Sequence, residues 1–276
     1  MTPALGCHLW SFPRCTVAEA AQIVRALGLQ FIDLGNGRDL DPQRVAADPE
    51  GEATRIGAAL RGAELRTLDF FPQPAPGFVS NHPEVEVRAR HREVYEPCLR
   101  FAARLGMSGI TVSPGRFWPG EPPADGFARS AEELRWLGAR AAQHGLQLRI
   151  EPHIESVTWT PELTLRMLAQ VPGLSLTLDY SHFIFHGIPV EQIQALDPYA
   201  THWHARQARP GAAQCRTADG AIAFRRIVAD LIGAGYNGGI SLEYVHGAWM
   251  RQDEVDCLSE TVALRDELRQ YLAGDR

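Results

Sequence analysis

The sequence predicts an α/β fold, a single (β/α)8 TIM barrel, on three observations. Short β-rich runs alternate with helical periodicity eight times along 276 residues, and no low-complexity linker divides them. The turn after the first strand reads "WSFPRC" and lacks the Gly-x-Gly-x-x-Gly that an open dinucleotide-binding sheet would want. Barrels of this class run to about 250 residues as one unit, so residues 1–276 are read as one domain.

The first strand is expected at 5–11 (LGCHLWS), before a helix near 16–28, and the second at 29–34 (LQFIDL), before a helix near 50–61. The third, 63–70 (AELRTLDF), precedes a helix near 84–105, and the fourth, 108–113 (SGITVS), one near 126–144. The fifth, 146–151 (LQLRIE), precedes 160–171, and the sixth, 174–179 (LSLTLD), precedes 190–197. The seventh, 200–205 (ATHWHA), precedes 219–234, and the eighth, 239–244 (GISLEY), precedes 254–272. Ser, Thr, Asp or Pro opens several of the helices, and Gly closes them in "ARLGMSGI", "AQHGLQLRI" and "IGAGYNGGI". The least regular stretches are the loops "PQPAPGFVSNHPE", "PGRFWPGEPPADG" and "QARPGAAQCRT".

Composition narrows the function. The chain is 45% apolar and 22% charged, as expected of a globular protein with a large core. Its 27 basic residues are scattered among 33 acidic ones for a net charge of −6, which leaves no footprint for a phosphate backbone, so no nucleic-acid partner is expected. The N-terminus has no basic segment followed by a long apolar run. No window supplies the ~18 apolar residues of a membrane span, so a cytoplasmic location and no membrane partner are expected. Five cysteines without C-x-x-C spacing argue against both a disulfide framework and a thiolate zinc site.

Side chains alternate along a strand, so one parity meets the helices and the other fills the barrel. In the fifth to eighth strands Leu148, Ile150, Leu176, Leu178, Trp203, Ile240 and Leu242 share the helix-facing parity. Arg149, Glu151, Thr177, Asp179, His202, His204, Ser241 and Glu243 share the inward one. Glu151, Asp179, His204 and Glu243 therefore converge at the C-terminal ends of four consecutive strands, the rim where such barrels carry their active sites. Three carboxylates confined together repel unless a cation neutralises them, so a divalent metal is the economical reading. Oxygen-rich ligation with one imidazole suits Mn²⁺ first, then Mg²⁺, Co²⁺ or Zn²⁺. His202, deeper on its strand, is read as a core histidine with a satisfied hydrogen bond.

The motifs "IEPH" at 150–153, "LDYSH" at 178–182, "HWHAR" at 202–206 and "SLEY" at 241–244 resemble those of the xylose isomerase-like TIM barrels. That superfamily holds ketose 3-epimerases, hydroxypyruvate isomerases, inosose dehydratases and apurinic endonucleases. The resemblance implies Glu151, Asp179, His204 and Glu243 as metal ligands, the two glutamates doubling as the acid/base pair. It also implies His182 and His153 as substrate contacts, His182 lying in the loop beyond the sixth strand. Arg206, with the inward parity of His204, and Arg209, before "PG", compete for the substrate-orienting role. Asp33 stands where many relatives have glutamate. The third strand lacks the histidine that the endonucleases' zinc cluster needs.

Metal chemistry of this kind polarises a carbonyl and stabilises an enediolate while an acid and a base move the proton. The leading expectation is an isomerase or epimerase of a small polyhydroxy carbonyl substrate, phosphorylated or not. A second is a dehydratase of an inosose or dehydroshikimate-like compound, and a third a non-catalytic metal-binding barrel. Loop aromatics Phe71, Phe78, Phe117, Trp118 and Trp249 are candidates to cover the site. Relatives in this superfamily are often dimers or tetramers, so a homo-oligomer is the expectation that the resemblance carries.

Overall fold

The computed structural model describes residues 2–73, 79–247 and 249–274, without the side chains of 249–251. Eight parallel strands close into a barrel in sequence order: β1 Ala4–His8, β2 Phe31–Gly35, β3 Asp69–Phe71, β4 Gly109–Val112, β5 Gln147–Ile150, β6 Ser175–Leu178, β7 Ala200–Ala205 and β8 Gly239–Leu242. The helices between them are α1 Val17–Ala26, α2 Pro42–Ala47, α3 Pro49–Gly62, α4 Val85–Arg104, α5 Pro123–Gln143, α6 Pro161–Gln170, α7 Tyr180–Phe185, α8 Val190–Ile193, α9 Phe224–Gly233 and α10 Cys257–Ala273.

Local chemistry sets the helix ends. Thr16 and Glu19 form a capping box at α1, and Thr160 caps α6 with Pro161 in the first turn, where no N–H is needed. After α4 and α5 the chain turns through Gly106 and Gly145, both at φ +70°, a left-handed conformation that costs a side chain free energy and glycine little. Leu146 N then returns to Ala141 O at 3.0 Å, and the next strand begins at once.

The helix-facing residues of β5 to β8 form the apolar shell. Leu148, Ile150, Leu176, Leu178, Trp203, Ile240 and Leu242 are all buried there, each contributing about 1.5–3 kcal/mol by leaving water. Inside the barrel, glycines make room for large side chains. A Cβ at Gly6 would fall 2.4 Å from the Phe31 ring, and one at Gly109 would fall 2.0 Å from the Arg149 guanidinium. Glycine is therefore required by space at both positions.

Three expectations are corrected. The third strand starts at Asp69 rather than near 63, because residues 63–65 close α3: Leu65 N bonds Leu60 O at 3.0 Å, and Glu64 sits at φ 55°. The helix near 50–61 is preceded by α2, and Asp48 ends α2 while capping α3 through Gly51 N at 2.9 Å. The segment after β6 is not loop but α7, whose N-cap is the Asp179 side chain. The five cysteines are free, as expected.

Gly6→Ala is expected to lower the unfolding free energy by about 1–3 kcal/mol in urea titration. Gly62→Ala, at the exposed end of α3 where a new Cβ meets nothing within 4 Å, is expected to leave it unchanged or slightly raised. Equal midpoints for the two variants would show that Phe31 does not need the Gly6 notch.

Candidate active site

The barrel interior is polar in layers. Deep in it Arg149 donates to Asp69 at 2.7 Å, to Thr201 Oγ1 at 2.8 Å and to Ser108 Oγ at 3.0 Å. Thr111 and Thr177 pair across the barrel at 2.5 Å. His202 Nε2 meets Asp33 Oδ2 at 2.7 Å, which gives His202 its core hydrogen bond and withdraws Asp33 from the mouth.

Above this floor the four expected residues come together, each no more than 4% exposed. His204 Nδ1 lies 2.6 Å from Glu151 Oε1 and 3.3 Å from Glu243 Oε1, so one imidazole nitrogen stands between two carboxylates. Asp179 joins from the side: Oδ1 accepts from Ser181 N at 2.8 Å, and Oδ2 accepts from Ser181 Oγ at 2.7 Å.

Burial alone opposes the charges here, yet neighbours overrule it. His204 and His182 hold Glu151 well below the usual carboxylate range. His204 and Arg206 hold Glu243 down against both burial and the repulsion of Glu151. Burial likewise disfavours a charged His204, but Glu243 and Glu151 push its pKa well above the ordinary value.

Arg206 continues the inward parity one step past β7 and is 3% exposed. Its Nε donates to Ser181 Oγ at 2.9 Å, and Nη2 lies 3.1 Å from Asp179 Oδ2 and 3.9 Å from Glu243 Oε2. The same Nη2 is 3.1 Å from His182 Nε2. His182 thus stands on α7, in the site rather than in a loop, with Nε2 3.7 Å from both Glu151 and Asp179. His153 borders the site, but both its ring nitrogens are occupied, by Ser113 Oγ and by the Ile154 carbonyl, each at 2.8 Å.

Arg209 is the expected site residue that the structure places elsewhere. Its backbone turns back on Ala212 through a reciprocal pair at 3.1 and 2.9 Å, so the inward alternation has ended and the residue is exposed, off the cavity wall. Of the two competing arginines, Arg206 reaches the site.

A cavity of about 400 Å³ opens above the four residues, lined by Glu151, Glu243, His153, His182 and Arg206 together with Trp10, Phe71, Gln73, Val245 and Gln252. Trp10 and Phe71 form one wall, their rings 5.1 Å apart. Phe117 instead packs against the apolar shell, and Trp118 packs on His82 and donates to Asn81. Phe78 and the Trp249 side chain lie outside the described residues.

Gln73, Ser181 and Gln252 carry no periodic signal, lying after β3, at the start of α7 and in a 3-10 turn, while Trp10, expected on the first strand, stands instead in the 3-10 turn Leu9–Ser11 that follows β1. Sequence reasoning missed these and also His8, which carried a readable signal: the inward parity at the end of β1. Its register places it opposite Asp33. Burial pushes its imidazole down to about 4, outweighing the pull of Glu243.

Ligand-type atoms gather within 4.8 Å in three sets among the described residues: Glu151, Asp179 and His182; His8, His204 and Glu243; and Asp33, His202 and His204. The first two adjoin through the Glu151–His204 contact. Neighbouring ligands of an octahedral ion with bonds of about 2.1 Å lie about 3 Å apart, and the spacings of 2.6 and 3.3 Å around His204 Nδ1 fall near that value. Glu243 Oε1 is buried without a hydrogen-bond partner. Three carboxylates against the Arg206 guanidinium and a His204 imidazole kept protonated by Glu243 and Glu151 leave one negative charge, and an ion that takes the place of the His204 proton meets two. The donor set fits a dication.

Residues 21–267 match the family model described as xylose isomerase-like TIM barrel. The chain belongs to this family. Among solved structures, D-allulose 3-epimerase from Methylomonas sp. superposes with a TM-score of 0.78 at 17% identity, over 98% of each chain. A Mycobacterium smegmatis barrel in complex with magnesium superposes with a TM-score of 0.76 at 16% identity, over 99% of this chain and 97% of that one. At such identities the likeness establishes the fold. A curated 3-dehydroshikimate dehydratase of Bacillus anthracis is 25% identical over 134 residues, 46% of this chain, and the match spans about half (47%) of that enzyme's length.

The Arg149–Asp69 pair under the site yields a direct test. Asp69→Ala or Arg149→Met is expected to cost about 3–5 kcal/mol in urea unfolding, because the surviving charge stays buried, and the double variant should recover much of that loss. Single variants as stable as the parent would show that the pair is hydrated in solution.

Proposed function

We propose that this barrel is a divalent-metal-dependent isomerase or epimerase of a small polyhydroxy carbonyl compound, with Glu151, Asp179, His204 and Glu243 holding the ion. The observation that carries the reading is His204 Nδ1 set between Glu151 and Glu243 at 2.6 and 3.3 Å, with the Asp179 carboxylate beside them in a water-poor mouth. Oxygen-rich ligation favours Mn²⁺ or Mg²⁺, with Co²⁺ close behind.

When bound there, a divalent ion supplies Lewis-acid polarisation of a carbonyl and makes the adjacent C–H more acidic. Glu151 and Glu243 flank His204 from β5 and β8, so one ionised carboxylate takes the proton from carbon and the other, after taking up a proton from solvent, returns it from the far side. Their ionised state suits the base role. Arg206 and His182 supply N–H donors that orient substrate oxygens. Trp10 and Phe71 cover the cavity and keep water from the reacting carbon. A chain with scattered basic residues and no second cation among the described cavity residues suits a free sugar or keto acid better than nucleic acid.

A dehydratase is the second reading, favoured by the partial match to 3-dehydroshikimate dehydratase. Removing a proton beside a carbonyl and then a hydroxide uses the same acid and base.

The test is metal analysis together with hydrogen exchange. The purified protein is expected to retain about one divalent ion per chain, to lose substrate C–H exchange with D₂O on chelation, and to regain it with Mn²⁺. Glu151→Gln should lower exchange by about 10²–10⁴-fold. Asp179→Ala removes both a ligand and the α7 cap, whereas Asp179→Asn keeps an oxygen for the cap. Loss of the ion in both variants supports the ligand role, and retention in both overturns it. A conjugated, ultraviolet-absorbing product in place of exchange would assign the lyase reaction.

A further inference from the structure

We propose that His8 is a positioning residue of this site: its Nε2–H, the tautomer imposed by the Trp10 backbone, holds the carboxylate of Glu243 in its working orientation. The inference rests on the role given to Glu243 above, and it comes from a strand that contributes none of the four proposed ligands.

β1 and β8 are neighbours, with Cys7 opposite Leu242, so the next residues along, His8 and Glu243, adjoin at the rim. The His8 ring is wholly buried. Its Nδ1 accepts a hydrogen bond from Trp10 N at 3.2 Å. An accepting Nδ1 carries no proton, so the neutral ring carries its proton on Nε2. That nitrogen has no lone pair to give a cation. His8 therefore is not a further ligand, although its ligand-type atoms lie within 4.8 Å of those of His204 and Glu243.

It is a donor instead. His8 Nε2 is buried without a hydrogen-bond partner, and Glu243 Oε1 is buried with only the 3.3 Å ion-pair contact to His204 Nδ1. An unmet buried donor or acceptor costs about 1–3 kcal/mol. Pairing the donor with the acceptor, directly or through one bridging oxygen, removes both costs. His204 Nε2 is unpartnered too, but that ring already meets Glu243 through Nδ1 at 3.3 Å.

The ring cannot swing away. Trp10 packs on it with ring centroids 4.2 Å apart. Both rings sit in a notch left by Gly35, where a Cβ would come within 2.7 Å of Trp10 and 2.8 Å of His8 Cε1. The arrangement keeps the His8 N–H within reach of Glu243 Oε1, an oxygen with lone pairs for both a donor and an ion, while Oε2 lies 3.9 Å from Arg206.

Two substitutions separate the two nitrogens. His8→Asn keeps an acceptor near Nδ1 for Trp10 N but has nothing at Nε2. His8→Gln keeps a donor near Nε2 but loses the contact to Trp10. Supporting groups of this kind are worth about 10–100-fold in metal affinity, so Mn²⁺ titration should show a loss of that size in His8→Asn and most of the affinity kept in His8→Gln. Nitrogen-15 spectra of the metal-free native protein should show His8 protonated on Nε2 and bare on Nδ1, with the Nε2 resonance shifting in Glu243→Gln. His8→Asn binding Mn²⁺ like the parent, a proton on Nδ1, or an Nε2 resonance indifferent to Glu243→Gln would each overturn the inference. A native protein that takes up no divalent ion would instead defeat the metal reading and leave the spectra to decide the role of His8.

Discussion

Three carboxylates withdrawn from water at one end of the barrel are the constraint on which the surrounding structure depends. Two unit charges 4 Å apart repel by about 4 kcal/mol at an effective dielectric constant of 20, a large share of the 5–15 kcal/mol that holds a typical domain folded. The neighbourhood is organised to contain that repulsion. His204 stands between Glu151 and Glu243, and Arg206 lies against Asp179, with its Nη2 nearer to that carboxylate (3.1 Å) than to Glu243 (3.9 Å). Ser181 gives two hydrogen bonds to Asp179. Three carboxylates against one guanidinium and one protonated imidazole leave the mouth net negative, and release of the His204 proton would raise that surplus to two.

The barrel supplies the placement at little local cost. Strand alternation sends Leu and Ile outward to the helices and ligand-type residues inward, so the same pleat that builds the apolar shell builds the site. Asp179 joins two tasks, ending β6 at the rim and capping α7. Starting a helix at that residue carries Ser181 and His182 back over the mouth. Below, Arg149 and Asp69 fill the interior with a buried ion pair, and glycines at 6 and 109 leave the space that large interior side chains occupy.

Around this shared centre the cavity is the individual part of the molecule. Trp10 and Phe71 make an aromatic wall, while Gln73 and Val245 reach in from the loops after β3 and β8 and Gln252 from a 3-10 turn beyond β8. Family membership covers the barrel. Gln73, Val245 and Gln252 lie on segments with no regular repeat, the usual location of substrate recognition on this architecture.

The sequence by itself determined the eightfold alternation, the inward parity of β5 to β8, and the convergence of Glu151, Asp179, His204 and Glu243. Each is a consequence of period-two geometry acting on residues close in the chain. Applied to β1, the same parity would have pointed to His8. Tertiary structure alone decided the rest. Whether Arg206 or Arg209 enters the mouth depended on where β7 stops alternating and the chain turns back at Ala212. That His202 meets Asp33 beneath the site, and that His182 rides on a helix, depended on contacts across the barrel and on a cap donated by Asp179. Asp33 and His202 are 169 residues apart, so only barrel closure could bring them together; the Asp179 cap and the turn at Ala212 are local in sequence but carry no repeating period that marks them.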